Sequence, residues 1–591
     1  MKNKFNSKHN HKNANPNNSK MKGYDFMKKT NKFAAFALAA CMMAPMTMAT
    51  TASFTASATN VTISSSSSSS DQATHTYTAY KIFDGTYSTN GLTVTGWATG
   101  FDSTGLLADD DFTGIVIDST TTLPTTIGSV IGSNTDAAAV AQAIEKIASN
   151  SSTADKLASV LAKYVGTSGT KLSGTAVDLP AGYYIVKDVM GTDNTHDAVS
   201  KFILEVSGGT TPIDIVTKKS YPTVEKKVKE NVKAITGQAT YEKSTTEKWN
   251  DVADYNIGDA VPFKLYGTMP STLDDYEHYY YKFTDTLGSQ FNTPAVDAIT
   301  VKVNGTPITV DGKNCRVTAS GGNITVSFED IKAYVTSVND IVTVEYSAVL
   351  NKTAVIGRNG QTNKVDLEYS NNPNVSYKPN TSDDNEDTPN DEDKGKTPED
   401  KVIVFTYELD VTKVDKATAA KLANAEFTLQ NSDGKYAKID SDGKLVAWVD
   451  ATETDTDGTT TLKSGTDGMF KVIGIDDGVY TLTETKTPTD AYNAIAPLEL
   501  TINADTSNTQ NEDADGTELV SLKLTGTDLD YTATDADKHG IVKMDVANSK
   551  GSTLPSTGGI GTTIFYVLGG TLVVGSGIAL VTKKRLGKNE D

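Results

Sequence analysis

The chain has 591 residues, a formal net charge of −20 and only two cysteines, Cys41 and Cys315. So acidic a balance argues against nucleic-acid binding, which needs basic patches, and suits a soluble extracellular protein that resists non-specific association. At ~100–200 residues per domain the length holds three or four domains, yet beyond residue 58 a single cysteine remains, so no intramolecular disulfide can staple them.

The N-terminus reads as an export signal. Lys22, Lys28, Lys29 and Lys32 precede an apolar stretch from Phe33 to about Ala49, and small residues then end in Ala56-Ser57-Ala58, an A-x-A cleavage pattern. Residues 1–58 are therefore assigned to a signal peptide. Met21 and Met27 are alternative starts, and Leu38-Ala39-Ala40-Cys41 is a second, lipoprotein-type cleavage box. The leader carries nine lysines and one aspartate, and the piece after Thr557 carries four basic and two acidic residues. Without both, the remaining chain has a net charge of −30.

Residues 59–216 read as a first, N-terminal domain of strands with added helices. A serine run at 64–70 is a flexible lead-in or surface loop. Strands are expected at 76–83, 91–97, 182–189 and 202–206. One helical stripe places Val140, Ile144 and Ile147 together; another, capped by Thr153, places Leu157, Val160, Leu161 and Tyr164 together. Residues 217–372 are almost purely β, with strands at 261–266, 279–283, 299–303, 324–328, 341–350 and 364–369. Asn304-Gly305 and Gly321-Gly322 mark turns between strands. Regular short strands with such turns indicate a β-sandwich. Residues 373–401, rich in Asn, Asp, Glu, Pro and Thr, read as an acidic solvated linker. From 402 to 552 the β pattern returns as a second sandwich, with strands at 405–414, 425–430, 468–473, 478–484, 498–502, 521–524 and 541–546.

Residues 553–591 hold Leu554-Pro555-Ser556-Thr557-Gly558, an uncharged apolar run from Ile560 to Thr582, and the basic stop Lys583-Lys584-Arg585. A bilayer crossing takes ~20 apolar residues, and the basic cluster holds the far end in the cytoplasm. Pentapeptide, span and tail in this order resemble the LPXTG cell-wall sorting signal of Gram-positive surface proteins. The resemblance implies that a sortase cysteine attacks the Thr557 carbonyl, releases Gly558 onward and passes the acyl group to an amine.

Alternation along the last sandwich brings polar residues inward. A period of two puts Leu409, Val411 and Lys413 on one face, Tyr480, Leu482 and Glu484 on another, and Met544, Val546 and Asn548 on a third. Each polar group alone would be costly in an apolar core. Burial lowers a lysine pKa and raises a carboxyl pKa, so Lys413 could attack the Asn548 carboxamide with Glu484 as proton shuttle. Equally, Lys413 could snorkel, Asn548 cap a strand and Glu484 face solvent; alternation alone leaves both open. Lys413-Val414-Asp415, the 480–484 strand leading to Pro488, and Asn548 just before the sorting signal resemble a CnaB-type domain. So does Ala423-Asn424-Ala425-Glu426-Phe427, with Asn where that family has Gly. That resemblance implies a Lys413–Asn548 isopeptide bond with Glu484 as its catalytic acid. The middle domain is similar to the CnaA-like domain of major pilins, implying Lys226, Asn363 and catalytic Asp285, with Lys227 and Lys229 as competitors. In the first domain, aligning Gly182 with Gly478 puts Asp188 at the glutamate position. No lysine lies between Lys32 and Lys81 and no asparagine between Asn194 and Asn231, so no bond is expected there.

Lys218 and Lys219 stand at the junction before Ser220-Tyr221-Pro222, which resembles the pilin motif of backbone pilins, with Lys218 where that motif has proline. Lys219 is favoured as acceptor amine and Lys218 is second. Glu453, Asp455 and Asp457 have the spacing of a calcium loop, but Ser464 occupies the place of its bidentate glutamate; no metal and no cofactor are expected.

The whole chain is thus identified as resembling a sortase-assembled major pilin: mainly β, with tandem Ig-like sandwiches, a signal peptide and a C-terminal transmembrane sorting tail. The implied partners are pilus-type and housekeeping sortases, identical subunits in a covalent polymer joined Thr557 to Lys219, minor pilins, peptidoglycan and a host surface ligand. Its chemistry is single-event and intramolecular rather than turnover catalysis. The alternative is a monomeric wall-anchored adhesin that binds a host glycoprotein or glycan.

Overall fold

The computed structural model describes residues 58–65, 74–120, 123–191, 197–231, 249–357, 359–379, 387–506, 519–526, 533–534 and 539–551, together with Leu572, Val573 and Ser576. Residues 1–57 of the leader, most of the serine run, the pentapeptide 554–558 and nearly all of the apolar span lie outside these residues. Among the described residues no helix is long and apolar enough to cross a membrane. The fold is mainly β, and the α-helices of the N-terminal part fall between Ser103 and Leu161.

In the N-terminal part the expected stripes are the buried faces of two helices. Val140 and Ile144 on Ala137–Ile144 join Leu157, Val160 and Leu161 on Ser152–Leu161 in one core with Phe83 and Ile185. The cap of the second helix is Ser151, whose side chain accepts from the Ala154 N–H, rather than Thr153. Either residue type can cap; starting at Ser152 gives the helix two more residues, about half a turn, ahead of its buried stripe. Ala58–Ser65, read as the end of the leader and a lead-in, is a strand. It pairs parallel with Ile213–Thr217 and antiparallel with Val177–Pro180, burying Val61 and Ile63. Threonines, serines and two aliphatics give little signal, and the partners lie far along the chain.

The middle part is two seven-stranded sheets face to face. One contains Val224–Lys229, Ala260–Thr268 and Ile341–Leu350; the other contains Tyr281–Leu287 and Gln361–Ser370. The acidic linker expected at 373–401 is corrected over its second half. Lys394–Lys396 and Asp400–Phe405 both pair with Gln361–Ser370, and the latter also runs parallel to Val252–Asp254. Val402, Ile403, Val404 and Phe405 are all buried, so the strand shows no alternation to read. Its polar start has a structural use, since the Asp400 carboxylate accepts the Lys226 N–H at 2.6 Å. The expected strand 405–414 is consequently two strands in two units, Asp400–Phe405 and Tyr407–Asp415, which meet at Thr406.

In the C-terminal part Tyr407–Asp415 is the centre of a three-stranded sheet, antiparallel to Met469–Ile475 and parallel to Ile541–Asn548. An eight-stranded sheet containing Glu426–Asn431 and Gly478–Lys486 packs against it. Middle and C-terminal parts share one continuous apolar core from Val228 to Val546. At their seam Gly474 has φ +89°, and a Cβ there would collide with Ile257, whose N–H donates to the Gly474 carbonyl at 2.9 Å.

The same seam buries Glu230, Asp254, Asp476 and Asp477. Tyr407 donates its hydroxyl to Asp254 at 3.0 Å and the Asn231 amide donates to Asp476 at 2.8 Å. Burial, reinforced by Asp477 and Glu230, pushes the Asp254 carboxyl well above the usual carboxylate range, and burial with Asp254 does the same for Asp476. A carboxyl with a raised folded pKa stabilises most in acid and loses that contribution as pH rises above its unfolded value of about 4. Asp254→Asn removes the charge and keeps an acceptor for Tyr407. Its melting temperature is expected to exceed that of the parent at pH 8 and to match or fall below it at pH 5; an equal shift at both pH values would sink this account.

Candidate functional site

The C-terminal sheets bring Lys413, Glu484 and Asn548 together in a sealed space. Parallel pairing sets Lys413 opposite Val546 and Asp415 opposite Asn548, so the lysine and asparagine side chains enter the core from adjacent strands. Glu484 comes from the facing sheet, where it pairs with Phe427. Lys413 and Asn548 have 0% exposure, as has the Glu484 side chain. The Lys413 Nζ lies 3.2 Å from Glu484 Oε1 and 5.3 Å from the centre of the Phe427 ring. The Asn548 amide donates to both Glu484 oxygens at 3.0 Å and to the Asn493 carbonyl at 3.0 Å. Glu484 Oε2 also accepts the Ile495 N–H at 3.0 Å. Burial lowers the Lys413 pKa, with Glu484 opposing. Two buried atoms have no hydrogen-bond partner: Lys413 Nζ and Asn548 Oδ1.

The middle part builds a related arrangement across its two sheets rather than between neighbouring strands. Lys226, on Val224–Lys229, reaches Asp285 on Tyr281–Leu287, and all of Lys226, Asp285 and Asn363 have 0% exposure. Asn363 stands opposite Leu287 in the Asp285 sheet. Tyr346, which the sequence reading did not single out, links the three. Its hydroxyl lies 3.1 Å from Lys226 Nζ, donates to Asp285 Oδ2 at 2.7 Å and accepts from the Asn363 amide at 2.9 Å. Phe263 and Tyr346 present their rings to Lys226 Nζ, at 5.3 and 5.5 Å. Burial lowers the lysine pKa against the pull of Asp285, and burial raises the Asp285 carboxyl against the pull of Lys226. Both shifts favour the neutral forms, an amine beside a carboxylic acid. Asp285 Oδ1 and Asn363 Oδ1 are buried without a partner.

Of the competitors, Lys227 points to the other face and pairs with Asp251 and Glu225. Lys229 faces Trp249, 5.8 Å from its ring. Period-two alternation therefore selects Lys226.

Lys218 and Lys219 follow the strand Ile213–Thr217; the first is exposed and the second half-buried. The segment is anchored on both sides. Thr217 lies 3.1 Å from the Tyr77 hydroxyl in the N-terminal part. On the middle part, Ser220 Oγ accepts the Ser271 N–H at 2.9 Å and Tyr221 stacks on Tyr369. The pentapeptide Leu554, Pro555, Ser556, Thr557 and Gly558 falls outside the described residues.

At the calcium-like loop, the Glu453 and Asp455 carboxylates are taken by the Lys438 ammonium at 2.9 and 2.5 Å. Ser464, at the ligand-deficient position, accepts the Ala425 N–H at 2.9 Å. Among the described residues, Asp254, Asp476 and Asp477 have carboxylate oxygens within 4.8 Å of one another, a separation that a hard cation could bridge. These are the groups at the seam, where Tyr407 and Asn231 already serve as donors.

Residues 407–517 match the SpaA family model, a prealbumin-like fold domain, and residues 547–585 match the LPXTG cell wall anchor motif. Lys413 and Glu484 fall in the first match and Asn548 in the second. The chain is 25% identical over 419 residues to the trypsin-resistant surface T6 protein of Streptococcus pyogenes serotype M6, covering 63% of this chain and 70% of that one. Among solved structures it is similar to the T6 backbone pilin of serotype M6 Streptococcus pyogenes, with TM-score 0.48, 17% identity, and coverage of 84% of this chain and 98% of that one. It is also similar to the major pilin SpaD of Corynebacterium diphtheriae, with TM-score 0.42, 16% identity, and coverage of 85% and 99%. The chain therefore carries a SpaA-type prealbumin-like domain directly ahead of an LPXTG cell wall anchor, which marks it as a cell-wall-anchored surface protein.

Proposed function

We propose that the chain is the backbone subunit of a covalently polymerised pilus, stapled internally by two isopeptide bonds and joined to its neighbours from Thr557 to Lys219. The observation that carries this reading is the pair of sealed lysine, carboxyl and asparagine sets standing in a chain that ends in a sorting signal. The similar streptococcal protein is named for resistance to trypsin, a property that internal covalent bonds confer.

The chemistry follows from the geometry. In the C-terminal set, Glu484 takes a proton from the Lys413 ammonium and leaves a neutral amine. Lys413 Nζ attacks the Asn548 carboxamide carbon while Glu484, hydrogen-bonded to the amide at Nδ2, holds it in place beside the amine. The carbon–nitrogen bond to Nδ2 then breaks as Glu484 gives its proton to the leaving nitrogen and takes the surplus proton from the attacking Nζ, and one ammonia is released for each bond formed. In the middle set Lys226, Asp285 and Asn363 do the same, with the Tyr346 hydroxyl holding amine, acid and amide in line. An unpartnered buried polar group costs about 1–3 kcal/mol. Forming the bond turns a buried amine that lacks a hydrogen bond, Lys413 Nζ, into an amide. Each bond closes a loop of more than ~100 residues, which in the chain-entropy account restricts the unfolded state by roughly 5 kcal/mol.

Intact mass of the soluble 59–557 protein is expected to fall short of the sequence mass by two molecules of ammonia, with Lys413–Asn548 and Lys226–Asn363 linked peptides after digestion. Glu484→Gln and Asp285→Asn should each restore one ammonia and lose about 2–5 kcal/mol of stability, by analogy with a removed disulfide. A full, unmodified parent mass would refute both bonds.

In cells, Lys219→Ala is expected to collapse the high-mass ladder on an immunoblot to monomer, while Lys218→Ala leaves it. A ladder that survives Lys219→Ala and vanishes with Lys218→Ala would transfer the acceptor role. A monomer in the parent itself would favour the adhesin alternative.

A further inference from the structure

The N-terminal sheets contain the carboxylate position of the C-terminal set without its lysine or asparagine. Tyr184 donates its hydroxyl to the Pro180 carbonyl, four residues back, at 2.9 Å, as Tyr480 does to the Asp476 carbonyl at 2.8 Å. Four residues beyond these tyrosines stand Asp188 and Glu484, both buried. Gly182–Met190 and Gly478–Lys486 are thus the same construction, and Asp188 occupies the place of Glu484. Its partners differ. His75 on the neighbouring strand sets Nδ1 2.8 Å from Asp188 Oδ1, and Asp188 Oδ2 accepts from the Ser200 N–H at 2.7 Å and the Ser200 hydroxyl at 2.8 Å. On its far side the imidazole Nε2 lies 3.5 Å from Asp197 Oδ2. All three side chains are buried, the histidine with 5% exposure.

The loop that supplies Asp197 and Ser200 is also the contact between the N-terminal and middle parts. The Val199 N–H donates to the Asn371 carbonyl at 2.9 Å and the Phe202 N–H to Asn374 Oδ1 at 2.6 Å. The Asn374 amide returns a bond to the Ser200 carbonyl at 3.0 Å. Lys201 reaches Asp155 on the N-terminal side at 2.5 Å and Asp275 on the middle side at 3.9 Å. This contact and the 217–223 crossing together bound the junction that carries Lys218 and Lys219.

We propose that His75, Asp188 and Asp197 form an ionic latch at the place where the C-terminal domain carries the acid of its proposed covalent staple. The latch holds residues 197–202 against the middle sheets and thereby positions the junction lysines. His75 is a positioning residue, two steps removed from any reacting atom. Only its consequence for polymerisation rests on Lys219 being the acceptor; the latch itself does not. The groups facing the ring are Asp188, Asp197, Tyr77, stacked at 6.1 Å, and Lys219. Burial and Lys219 oppose protonation, Asp188 and Asp197 favour it, and the imidazole is pushed up to about 9. A histidine with a raised folded pKa contributes its full stabilisation below the unfolded value of about 6.5 and loses it as pH rises through the folded one. The latch is therefore closed at neutral pH and opens in alkali.

The test is proton NMR titration of the His75 ring in the processed 59–557 protein, with hydrogen exchange at the Val199 and Phe202 amides corrected for intrinsic pH dependence. The parent should titrate near 9, and protection at both amides should fall at least tenfold across that midpoint. Asp197→Asn should leave the ring buried and move the midpoint down, which a merely structural contact would not do. His75→Gln should lack protection already at pH 8. An ordinary midpoint near 6.5, or protection at Val199 and Phe202 indifferent to both variants, would overturn the latch. The acceptor reading is scored separately, by mapping the lysine joined to Thr557 in a sortase reaction of the parent; a result that moves acceptance off Lys219 leaves the exchange result standing.

Discussion

Two lysines placed where water cannot reach them set the terms for the rest of this structure. A buried ammonium is tolerated only beside a carboxylate or as a neutral amine, so Lys413 and Lys226 each oblige the fold to supply an acid from the opposite sheet. Glu484 and Asp285 meet that demand. The aromatic rings over each ammonium, Phe427 in one domain and Phe263 with Tyr346 in the other, exclude solvent while giving the cation a face to rest on. What looks like an expensive ion pair is, in the proposed reading, a preorganised reactive set once an asparagine enters the same space.

The reactive residues were legible because a strand reports its buried face by position. Lys413, Glu484 and Asn548 each continued an apolar series at a period of two, which left an inward facing open, and the resemblance to a CnaB-type domain chose it. The same rule chose Lys226 over Lys227, whose partners lie on the opposite face of the strand. Tyr346 escaped notice for the converse reason. A tyrosine at an inward position of a β-strand reads as ordinary core, and nothing local tells that its hydroxyl meets a lysine, an aspartate and an asparagine from three other strands.

The misread segments share a physical cause too. Asp400–Phe405 is covered on both faces, so its run of aliphatic and aromatic residues has no period, and the polar residues ahead of it look like linker until Asp400 is seen bonding the Lys226 N–H. Ala58–Ser65 is short and weakly apolar, and it becomes a strand only because two distant partners flank it. Non-local pairing is the part of a β-fold that a single sequence conceals, whereas facing and burial are the parts it displays.

The placement of the proposed bonds gives the polymer a continuous path for tension. With Lys219 as the proposed acceptor, force would enter at the 218–219 junction, reach Lys226 within the first strand of the middle part, cross the proposed bond to Asn363, and pass to the paired Val402 on the strand that runs into the C-terminal part. There Tyr407–Asp415 carries it to Lys413, and the second bond hands it to Asn548, the last residue of the final strand before the sorting signal. Between the two staples the chain runs from Asn363 to Lys413, and the pairing of Gln361–Ser370 with Asp400–Phe405 shortens that stretch to a path through the shared core. The N-terminal part lies off that path, before the point where force enters. A covalent staple there would bear no load, which is consistent with a site where Asp188 keeps the position of the acid and holds a histidine instead.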